Sequence, residues 1–425
     1  MSVYRLLYSA LWYLLCPFIL LRLYLRSRNN PDYKLNWQQR LGYIHCAQAP
    51  RIWLHAVSVG ETVAAKPLVE SLIKQYPNHT LLVTNTTPTG SQTAKRLFGD
   101  LVEHCFFPYD LPHVITRFLN RAAPDMLIIM ETEIWPNLLH HCGKKNIPVL
   151  IANARLSARS TKGYLKIRSL INDALLDVST VACRSQQDAD HFQQLGAKDK
   201  QLLVSGNIKF DVIQGAKNDT NHPLLQKDSD RKVLVAASTH QSEDEIILSL
   251  FTKLKKSYPN LLLILAPRHP ERFNNVYQSC QETGFVTQRR SESLDMAQTC
   301  DIILGDSLGE MALWYCTADV VFIGGSLVET GGHNPLEATV YGVPVVAGPH
   351  VFNFTDVFDV LCEAKLAWVE NDKTSLEARI KTLLDTSPQA LEAFRLDATE
   401  VLKKHAGVTT RLILECDRLL PNTHN

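Results

Sequence analysis

The sequence has almost no net charge, because 44 lysines and arginines face 43 aspartates and glutamates and leave a formal charge of +1. So little excess charge gives no global field that would attract nucleic acid. Its ten cysteines are scattered without a CxxC pair, which argues against a disulfide framework or a zinc site and is typical of a reducing cytosol. The two bare DxD pairs, at 188–190 and 228–230, fall in a helix-like segment and in a polar stretch, so neither indicates a metal site.

The N-terminus departs from this soluble profile. Sixteen uncharged residues, LLYSALWYLLCPFILL, separate Arg5 from Arg22. A helix of that length spans about 24 Å, short of the roughly 30 Å hydrocarbon core of a bilayer. No small-residue cleavage site follows, and the positive charges after the run outnumber Arg5, which predicts that the bulk of the chain is cytoplasmic. We therefore expect residues 1–28 to form an uncleaved membrane anchor, either a short span or an interfacial helix; the alternative is a buried core helix.

The length of 425 residues exceeds the usual size of a single hydrophobic core and predicts two domains. From residue 51 onward, short apolar runs alternate with longer helix-compatible segments, which predicts parallel sheets covered by helices on both faces. The alternation lapses in the polar stretch 211–231, which we interpret as a linker. The predicted domains are 29–210 and 232–425, two doubly wound Rossmann-like units facing a cleft, with ligands at the carboxyl ends of the strands.

In the first half of the chain, candidate catalytic and binding residues lie just after the predicted strands. Glu61, in HAVSVGE, would begin a helix, where the helix dipole favours the ionised form that suits a base; the alternative is a helix-capping residue. Glu131 and Glu133, in METEIWPN, could orient an acceptor or stabilise positive charge, or simply form a polar strand end. Lys209, in NIKFD, lies at the end of this domain. A stretch with five positive charges and no acidic residue could hold a phosphorylated or membrane-surface substrate, or form a solvated helix face (Arg155, Arg159, Lys162, Lys166, Arg168).

In the second half, Arg268 is placed to meet a phosphate, with Ser238 and Thr239 as hydroxyl donors, although a lone arginine at such a position is usually a surface ion pair. GDSLGEM places Gly309 and Glu310 near a further turn. The run from Phe322 to Pro349 has the pattern strand, glycine-rich loop, helix and strand. Its Pro335 opens the helix, whose N-terminus could hold an anion; the alternative is a structural glycine turn.

Taken together, these motifs resemble the Kdo transferases of Gram-negative bacteria, which attach 3-deoxy-D-manno-octulosonic acid (Kdo) to lipid A precursors. The resemblance covers essentially the whole chain and includes HAVSVGE, PTGS, ETEIWPN, NARLS, GNIKFD, APRHPER, GDSLGEM and GGHNPLEA. It implies an α/β, GT-B glycosyltransferase fold, CMP-Kdo as donor and no metal or other cofactor. It further implies an inverting transfer of Kdo to lipid IVA in lipopolysaccharide core synthesis, at the cytoplasmic face of the bacterial inner membrane, with no nucleic-acid partner.

The resemblance also implies roles for single residues. Glu61 would be the catalytic base, and Glu131 and Lys209 would stabilise the transition state. The CMP part of the donor would be bound by a further set of residues (Ser238, Thr239, Arg268, His269, Gly309, Glu310, Met311, Asn334, Pro335, Leu336, Glu337). Two alternative functions are also compatible with the sequence. A nucleotide-sugar 2-epimerase of the same architecture would not need a membrane anchor, and a non-catalytic, membrane-tethered nucleotide-binding protein would not need Glu61.

Overall fold

The structure, a computed structural model, describes residues 3–29, 31–46, 50–211, 231–292 and 300–420. The chain divides into two compact units. Unit 1 comprises Met1–Val212 together with His405–Asn425, and unit 2 comprises Ile213–Lys404. The predicted linker lies almost wholly outside the described residues.

Unit 1 is built on a sheet of seven parallel strands in the order β3-β2-β1-β4-β5-β6-β7. The strands are β1 (Arg51–His55), β2 (Thr80–Asn85), β3 (Glu103–Phe106), β4 (Met126–Met130), β5 (Val149–Ala154), β6 (Thr180–Cys183) and β7 (Leu202–Val204). Every residue of β1, β4, β5 and β6 is buried, because helices cover both faces of the sheet. The register pairs Leu54 of β1 with Val83 of β2 on one side and with Ile128 of β4 on the other.

The helices of unit 1 after the N-terminal one alternate with its strands and form two apolar cores with the sheet, one on each face. With the N-terminal helix, they are α1 (Val3–Asn29), α2 (Val59–Ala64), α3 (Lys66–Gln75), α4 (Pro88–Phe98), α5 (Pro112–Ala122), α6 (Pro136–Lys144), α7 (Ala158–Leu165), α8 (Arg168–Leu175) and α9 (Gln186–Leu195). Proline at the first turn of α4, α5 and α6 starts these helices directly after strands β2, β3 and β4, because its fixed φ suits that position and its missing N–H has no partner there.

Unit 2 repeats the architecture with seven parallel strands in the order β10-β11-β9-β8-β12-β13-β14. They are β8 (Val233–Thr239), β9 (Leu262–Pro267), β10 (Thr287–Arg289), β11 (Ile302–Leu304), β12 (Val320–Ile323), β13 (Val345–Ala347) and β14 (Ala367–Val369). The remaining helices are α10 (Glu243–Ser257), α11 (Phe273–Glu282), α12 (Met311–Thr317), α13 (Leu336–Thr339), α14 (Thr355–Glu363), α15 (Lys373–Leu384), α16 (Pro388–His405) and α17 (Val408–Leu419). Two doubly wound parallel sheets confirm the predicted fold class.

The C-terminal helix corrects one predicted boundary, because α17 belongs to unit 1 and not to the second domain. Its Val408, Leu412 and Cys416 are fully buried in the core that also contains Ile52 of β1. Asp211 accepts a hydrogen bond from the Gly407 N–H at 2.7 Å, and Arg411 donates to the Ser205 carbonyl oxygen at 2.8 Å. The predicted domain 232–425 is therefore too long at its C-terminal end.

The N-terminal helix α1 has 27 residues and is the helix within the described ranges that is long and apolar enough to cross a membrane. Little of it is buried by the rest of the protein. Its length and composition agree with a membrane anchor.

Candidate active site

The first candidate residue, Glu61, lies in the first turn of α2, immediately after β1. Ser58 caps this helix, and the Glu61 carboxylate accepts hydrogen bonds from the Val57 N–H at 2.8 Å and from the Ser58 hydroxyl at 3.0 Å. Ser58 and Glu61 thus form the reciprocal cap that the alternative interpretation expected. A residue that caps a helix can also act as a general base if its pKa lies near the working pH, so the pKa of Glu61 is the relevant property.

The pKa of Glu61 is raised from its ordinary value to about 7, mainly because burial removes water from the carboxylate. The charge of Glu131 adds to this rise, and the hydrogen bonds from Val57 and Ser58 oppose it. The expectation that the helix N-terminus would keep Glu61 readily ionised is therefore wrong in direction, since desolvation outweighs the helix. A carboxylate that titrates near neutral pH is well matched to general-base catalysis.

Two further carboxylates follow β4 and lie beside Glu61. Glu133 has its pKa raised to about 7 by burial first and by the charge of Glu61 second. Glu131 has a left-handed backbone with φ +58°, which turns the chain sharply at the strand end. The structure thus brings together Glu61, Glu131 and Glu133, as the sequence predicted from strand ends alone.

Arg184, which the sequence analysis did not single out, joins this cluster. It follows β6, its side chain is only 4% exposed, and its Nη2 lies 3.7 Å from Oε1 of Glu131. A buried guanidinium beside Glu131 offsets part of the negative charge at this strand end. The sequence did contain this signal, because VACRS places Arg184 directly after an apolar strand. Glu61 and Glu131 were selected as candidates for the same reason.

Lys209 lies in a 3₁₀ turn, Ile208–Asp211, that follows β7 at the same edge of the sheet. The Ile208 N–H donates to Oδ1 of Asn153 at 3.0 Å, which fixes this turn to the end of β5. Lys209 is half-buried, and its N–H donates to the side chain of Asn207. Its backbone is therefore held firmly at the carboxyl edge of the unit 1 sheet.

The five basic residues predicted as a surface patch are all exposed, and none of them forms a salt bridge with another described residue. They flank α7 and the start of α8, together with Leu165 and Ile167, which are 39% and 49% exposed. Apolar side chains exposed among unpaired cations fit an anionic lipid surface better than a purely solvated helix face.

In unit 2 the glycine-rich loop after β12 is fixed by hydrogen bonds to the carboxylate of Glu243. This carboxylate is fully buried and accepts hydrogen bonds from the backbone N–H groups of Gly325, Ser326 and Leu327 at 2.7–3.0 Å. It also accepts from the N–H of His240 at 2.8 Å. Glu243 therefore joins the ends of β8 and β12, a role that the sequence analysis missed because its partners are all backbone groups.

Arg268 is exposed at the end of β9, and its charge acts on several neighbouring groups. Burial raises the pKa of Glu337, and Arg268 opposes that rise. Burial also lowers the pKa of His333 to about 4, with Arg268 and His240 adding to the shift. His240 and His333 are linked by a 2.9 Å hydrogen bond, and His269 packs edge-on against His240 at 5.2 Å. The structure thus gathers Arg268, three histidines and Glu337 at one edge of the unit 2 sheet.

The turn before α12 contains the other predicted donor-binding residues. Gly309 has φ +86°, which only glycine adopts readily, and Glu310 precedes Met311 at the helix start. Nη2 of Arg290 lies 2.7 Å from Oε1 of Glu310, and Ser307 also donates to this carboxylate. The side chain of Glu310 is therefore occupied within the protein, and Arg290 is a second residue that the sequence analysis did not identify.

Two details of the predicted donor site need correction. Thr239 is fully buried and its hydroxyl donates to Asp244 at 2.6 Å, so it cannot also donate to a phosphate. Ser238 stays half-buried at a left-handed position. The helix opened by Pro335 is α13, a single turn whose first N–H, that of Leu336, already donates to Oδ1 of Asn334 at 3.1 Å. Leu336 itself is fully buried. The helix N-terminus therefore offers much less to an anion than the sequence indicated.

The DxD pair at 188–190 lies in α9, as expected for a chance match. Asp188 accepts a hydrogen bond from Ser185, which caps the helix, and another from the Leu156 N–H. The second pair lies outside the described residues.

A cavity of about 870 Å³ opens at the opposite edge of the unit 1 sheet, beside Pro148 and Ser179, which precede β5 and β6. None of the candidate residues lines it. In α/β sheets of this kind the ligand site is at the carboxyl ends of the strands, so this cavity is not the candidate active site.

Comparison with known proteins defines the class. Residues 218–399 match the family described as glycosyl transferases group 1, and residues 35–212 match the family described as 3-deoxy-D-manno-octulosonic-acid transferase (kdotransferase). UDP-GlcNAc 2-epimerase from Neisseria meningitidis bound to UDP-GlcNAc has a TM-score of 0.57 at 12% identity, covering 86% of this chain and 98% of that one, which shows the fold alone. The two matched families and the two doubly wound sheets make the protein a GT-B glycosyltransferase.

Full-length relatives narrow this class to one family. A 3-deoxy-D-manno-octulosonic acid transferase of Haemophilus influenzae is 41% identical over 423 residues, 97% of each chain. Its counterpart in Bordetella pertussis is 34% identical over 376 residues, 86% of each chain. The chain belongs to the 3-deoxy-D-manno-octulosonic acid transferase family.

Proposed function

We propose that the protein transfers Kdo from CMP-Kdo to a lipid A precursor, lipid IVA, in one inverting step of lipopolysaccharide core synthesis. The donor already carries a good leaving group, a nucleoside monophosphate, so no general acid is required on its side. What the reaction requires is a base for the acceptor hydroxyl, which attacks the face opposite to the leaving phosphate. The bond from the sugar to CMP breaks as the bond to the acceptor oxygen forms, and the base takes the proton.

The observation that carries this proposal is the state of Glu61. Its carboxylate is anchored by Val57 and Ser58, and its pKa of about 7 leaves it partly ionised at neutral pH and still basic enough to accept a proton. A carboxylate kept only as a helix cap would gain from being ionised and well hydrated. Glu61 is instead half-buried beside two other carboxylates, an arrangement that lowers stability and raises basicity.

The neighbours of Glu61 fit supporting roles. We assign to Glu131 and Lys209 the stabilisation of the transition state, in which positive charge develops on the sugar and negative charge on the leaving phosphate. Arg184, paired with Glu131, would hold that carboxylate in place. This adds one positioning residue to those implied by the sequence.

Unit 2 would bind the donor. We assign to Arg268 the charge-assisted contact with the CMP phosphate, and to His269, the 309–311 turn and the 334–337 segment the remaining contacts with CMP. Arg268 is exposed and therefore available to a ligand. We propose that the cations of the protein take the place that a metal ion occupies in other sugar transferases, so that no metal is required.

The acceptor would be reached at a membrane. Helix α1 is long and apolar enough to serve as an anchor, and the cations that follow it predict a cytoplasmic location for both units. We propose the cytoplasmic face of the bacterial inner membrane as the site of the reaction.

Release of CMP tests the proposal. Purified protein in detergent should release CMP from CMP-Kdo when the lipid A precursor is present, and release should stop when the acceptor is omitted. The control is a sugar nucleotide with a uridine diphosphate leaving group, which should give no product. An absence of acceptor-dependent CMP release would contradict the proposed reaction.

A further inference from the structure

The N-terminal half of α1 is fastened to unit 1 by specific polar and aromatic contacts. The Tyr8 hydroxyl donates to the carboxylate of Asp110 at 2.9 Å, and the Ser9 hydroxyl donates to Oδ1 of Asn137 at 3.1 Å. Asp110 is fully buried, as is Asn137 to within 1%. One turn further on, the ring of Trp12 packs against the Tyr109 and Trp135 rings at about 6 Å. These are interior contacts and not the incidental touching of a free helix.

The segment that follows α1 is fastened to the same unit. Three residues after the helix ends at Asn29, the carboxylate of Asp32 accepts a hydrogen bond from Nε2 of Gln92, in α4, at 2.5 Å. Arg40 then donates to the carbonyl oxygen of Thr86 at 2.9 Å. The chain is therefore held on unit 1 both in the first half of α1 and soon after the helix ends.

The less exposed residues of α1 fall on one side of the helix, the side that Tyr8 and Ser9 place against unit 1. The buried and half-buried residues recur every three or four positions, which is the spacing of a single helix face. They are Arg5, Tyr8, Ser9, Trp12, Cys16, Ile19, Leu20, Leu23 and Ser27. A helix about 40 Å long thus lies along the surface of unit 1.

These contacts leave too little helix to cross a bilayer. Residues as far as Tyr13, whose hydroxyl is 2.7 Å from Nδ1 of His113, are in contact with unit 1. The first following charge is Arg22, so the uncharged stretch beyond these contacts is Leu14–Leu21. Eight residues of helix span about 12 Å, against the roughly 30 Å of the hydrocarbon core.

The outward side of α1 is apolar and bordered by cations. Leu7, Leu14 and Phe18 are 62%, 68% and 66% exposed, and further leucines of the helix are exposed by 42% or more. Arg22, Arg26 and Arg28 are exposed near the end of the helix. An apolar strip with interfacial tyrosines and adjacent cations matches the boundary between anionic headgroups and acyl chains.

We propose that α1 lies in the plane of the membrane as a monotopic helix, with its outward side in one leaflet of an anionic bilayer and its inward side on unit 1. This places the membrane beside the candidate carboxylates. Trp135, which packs on Trp12, is also close enough to Glu133 to oppose the rise of its pKa. The headgroup region would therefore lie within a few side chains of Glu61.

The orientation of the N-terminus tests this proposal independently of transfer activity. The full-length chain, with a protease-cleavable tag at each end, is expressed in a Gram-negative host. An in-plane helix predicts that both tags are cleaved in inside-out inner-membrane vesicles and that both are protected in intact spheroplasts. Cleavage of the N-terminal tag in spheroplasts would overturn the proposal, as would recovery of the chain in the soluble fraction.

A second experiment tests whether the contacts of α1 persist on the membrane. Tyr8→Phe removes the donor to buried Asp110 and should lower the melting temperature of the protein bound to vesicles of phosphatidylethanolamine and phosphatidylglycerol. Tyr4→Phe is the matched control, because Tyr4 is 55% exposed on the outward side and should leave the melting temperature unchanged. Equal melting temperatures for the Tyr8→Phe variant and the wild type would mean that α1 has left unit 1 and would contradict the proposal.

Discussion

Replacing Glu61 with glutamine should separate catalysis from stability. The amide keeps the shape of the side chain but cannot accept the proton of the acceptor hydroxyl, and general-base catalysis contributes about 10²–10⁴-fold to the rate. We expect CMP release to fall by at least that factor, with donor binding nearly unchanged. In the wild type, kcat/KM should rise as the pH passes through about 7, since the ionised carboxylate is the active form.

The same substitution should change stability in a pH-dependent way. Folding raises the pKa of Glu61 from 4.5 to about 7, so the folded protein binds this proton more tightly than the unfolded chain does. The stability that this proton contributes is complete below pH 4.5 and is lost as the pH rises towards 7. The displacement corresponds to about 3 kcal/mol. Glu61→Gln should therefore gain stability relative to the wild type at pH 8 but not at pH 4.

Denaturant titrations of the wild type and the variant at both pH values measure this difference. Glu70→Gln is the control, because the Glu70 side chain is 60% exposed and its salt bridge with Lys66, at 3.7 Å, should contribute little at either pH. A stability difference for Glu61→Gln that does not depend on pH would refute the buried, proton-binding environment. Near-normal transfer by this variant would return Glu61 to a capping role alone.

Three further predictions concern the donor, the metal and the anchor. Arg268→Ala should raise the KM for CMP-Kdo about tenfold or more through the loss of a charge-assisted contact, while Arg159→Ala, also an exposed arginine, should not; an equal rise for both would show that Arg268 has no specific donor contact. Transfer should proceed at full rate in EDTA, and a rate that depends on added magnesium would contradict the metal-free mechanism. Deleting residues 1–28 should release the protein from membranes and lower its melting temperature, because Asp110 loses its Tyr8 donor; an unchanged melting temperature would mean that α1 contributes nothing to unit 1.

Much of the fold could be predicted because central parallel strands are continuous apolar runs. β2, β4 and β12 coincide with apolar runs of the sequence that turn residues or charges bound on both sides. The four edge strands, β3, β7, β10 and β14, were not predicted, because each has only three or four residues and two of them carry polar residues: Glu103 and His104 in β3, Gln288 in β10. Edge strands are buried less completely than the centre of a sheet, so periodicity gives a weak signal there.

A residue of the candidate site could be predicted only where its own position in the sequence, after a strand, was enough to identify it. Glu61 and Glu131 were found because each follows a strand, and parallel strands bring their carboxyl ends together. The pairing of Arg184 with Glu131 depends on the order β4-β5-β6, which no local pattern contains. The pKa of Glu61 depends on how much water neighbouring residues remove from its carboxylate. The hydrogen bond from Thr239 to Asp244 depends on the rotamers of both side chains. Tertiary packing decides each of these, and sequence position alone does not.

The return of α17 to unit 1 has a consequence for how the chain folds during synthesis. Val408, Leu412 and Cys416 complete a core whose other residues lie before position 212, so the ribosome must first make the roughly 190 residues of unit 2. At about 5–20 residues per second, one apolar face of unit 1 stays uncovered for roughly ten to forty seconds. During that time, a chaperone could bind the apolar face of unit 1 that α17 later covers. A stop codon anywhere before α17 would leave that face uncovered permanently.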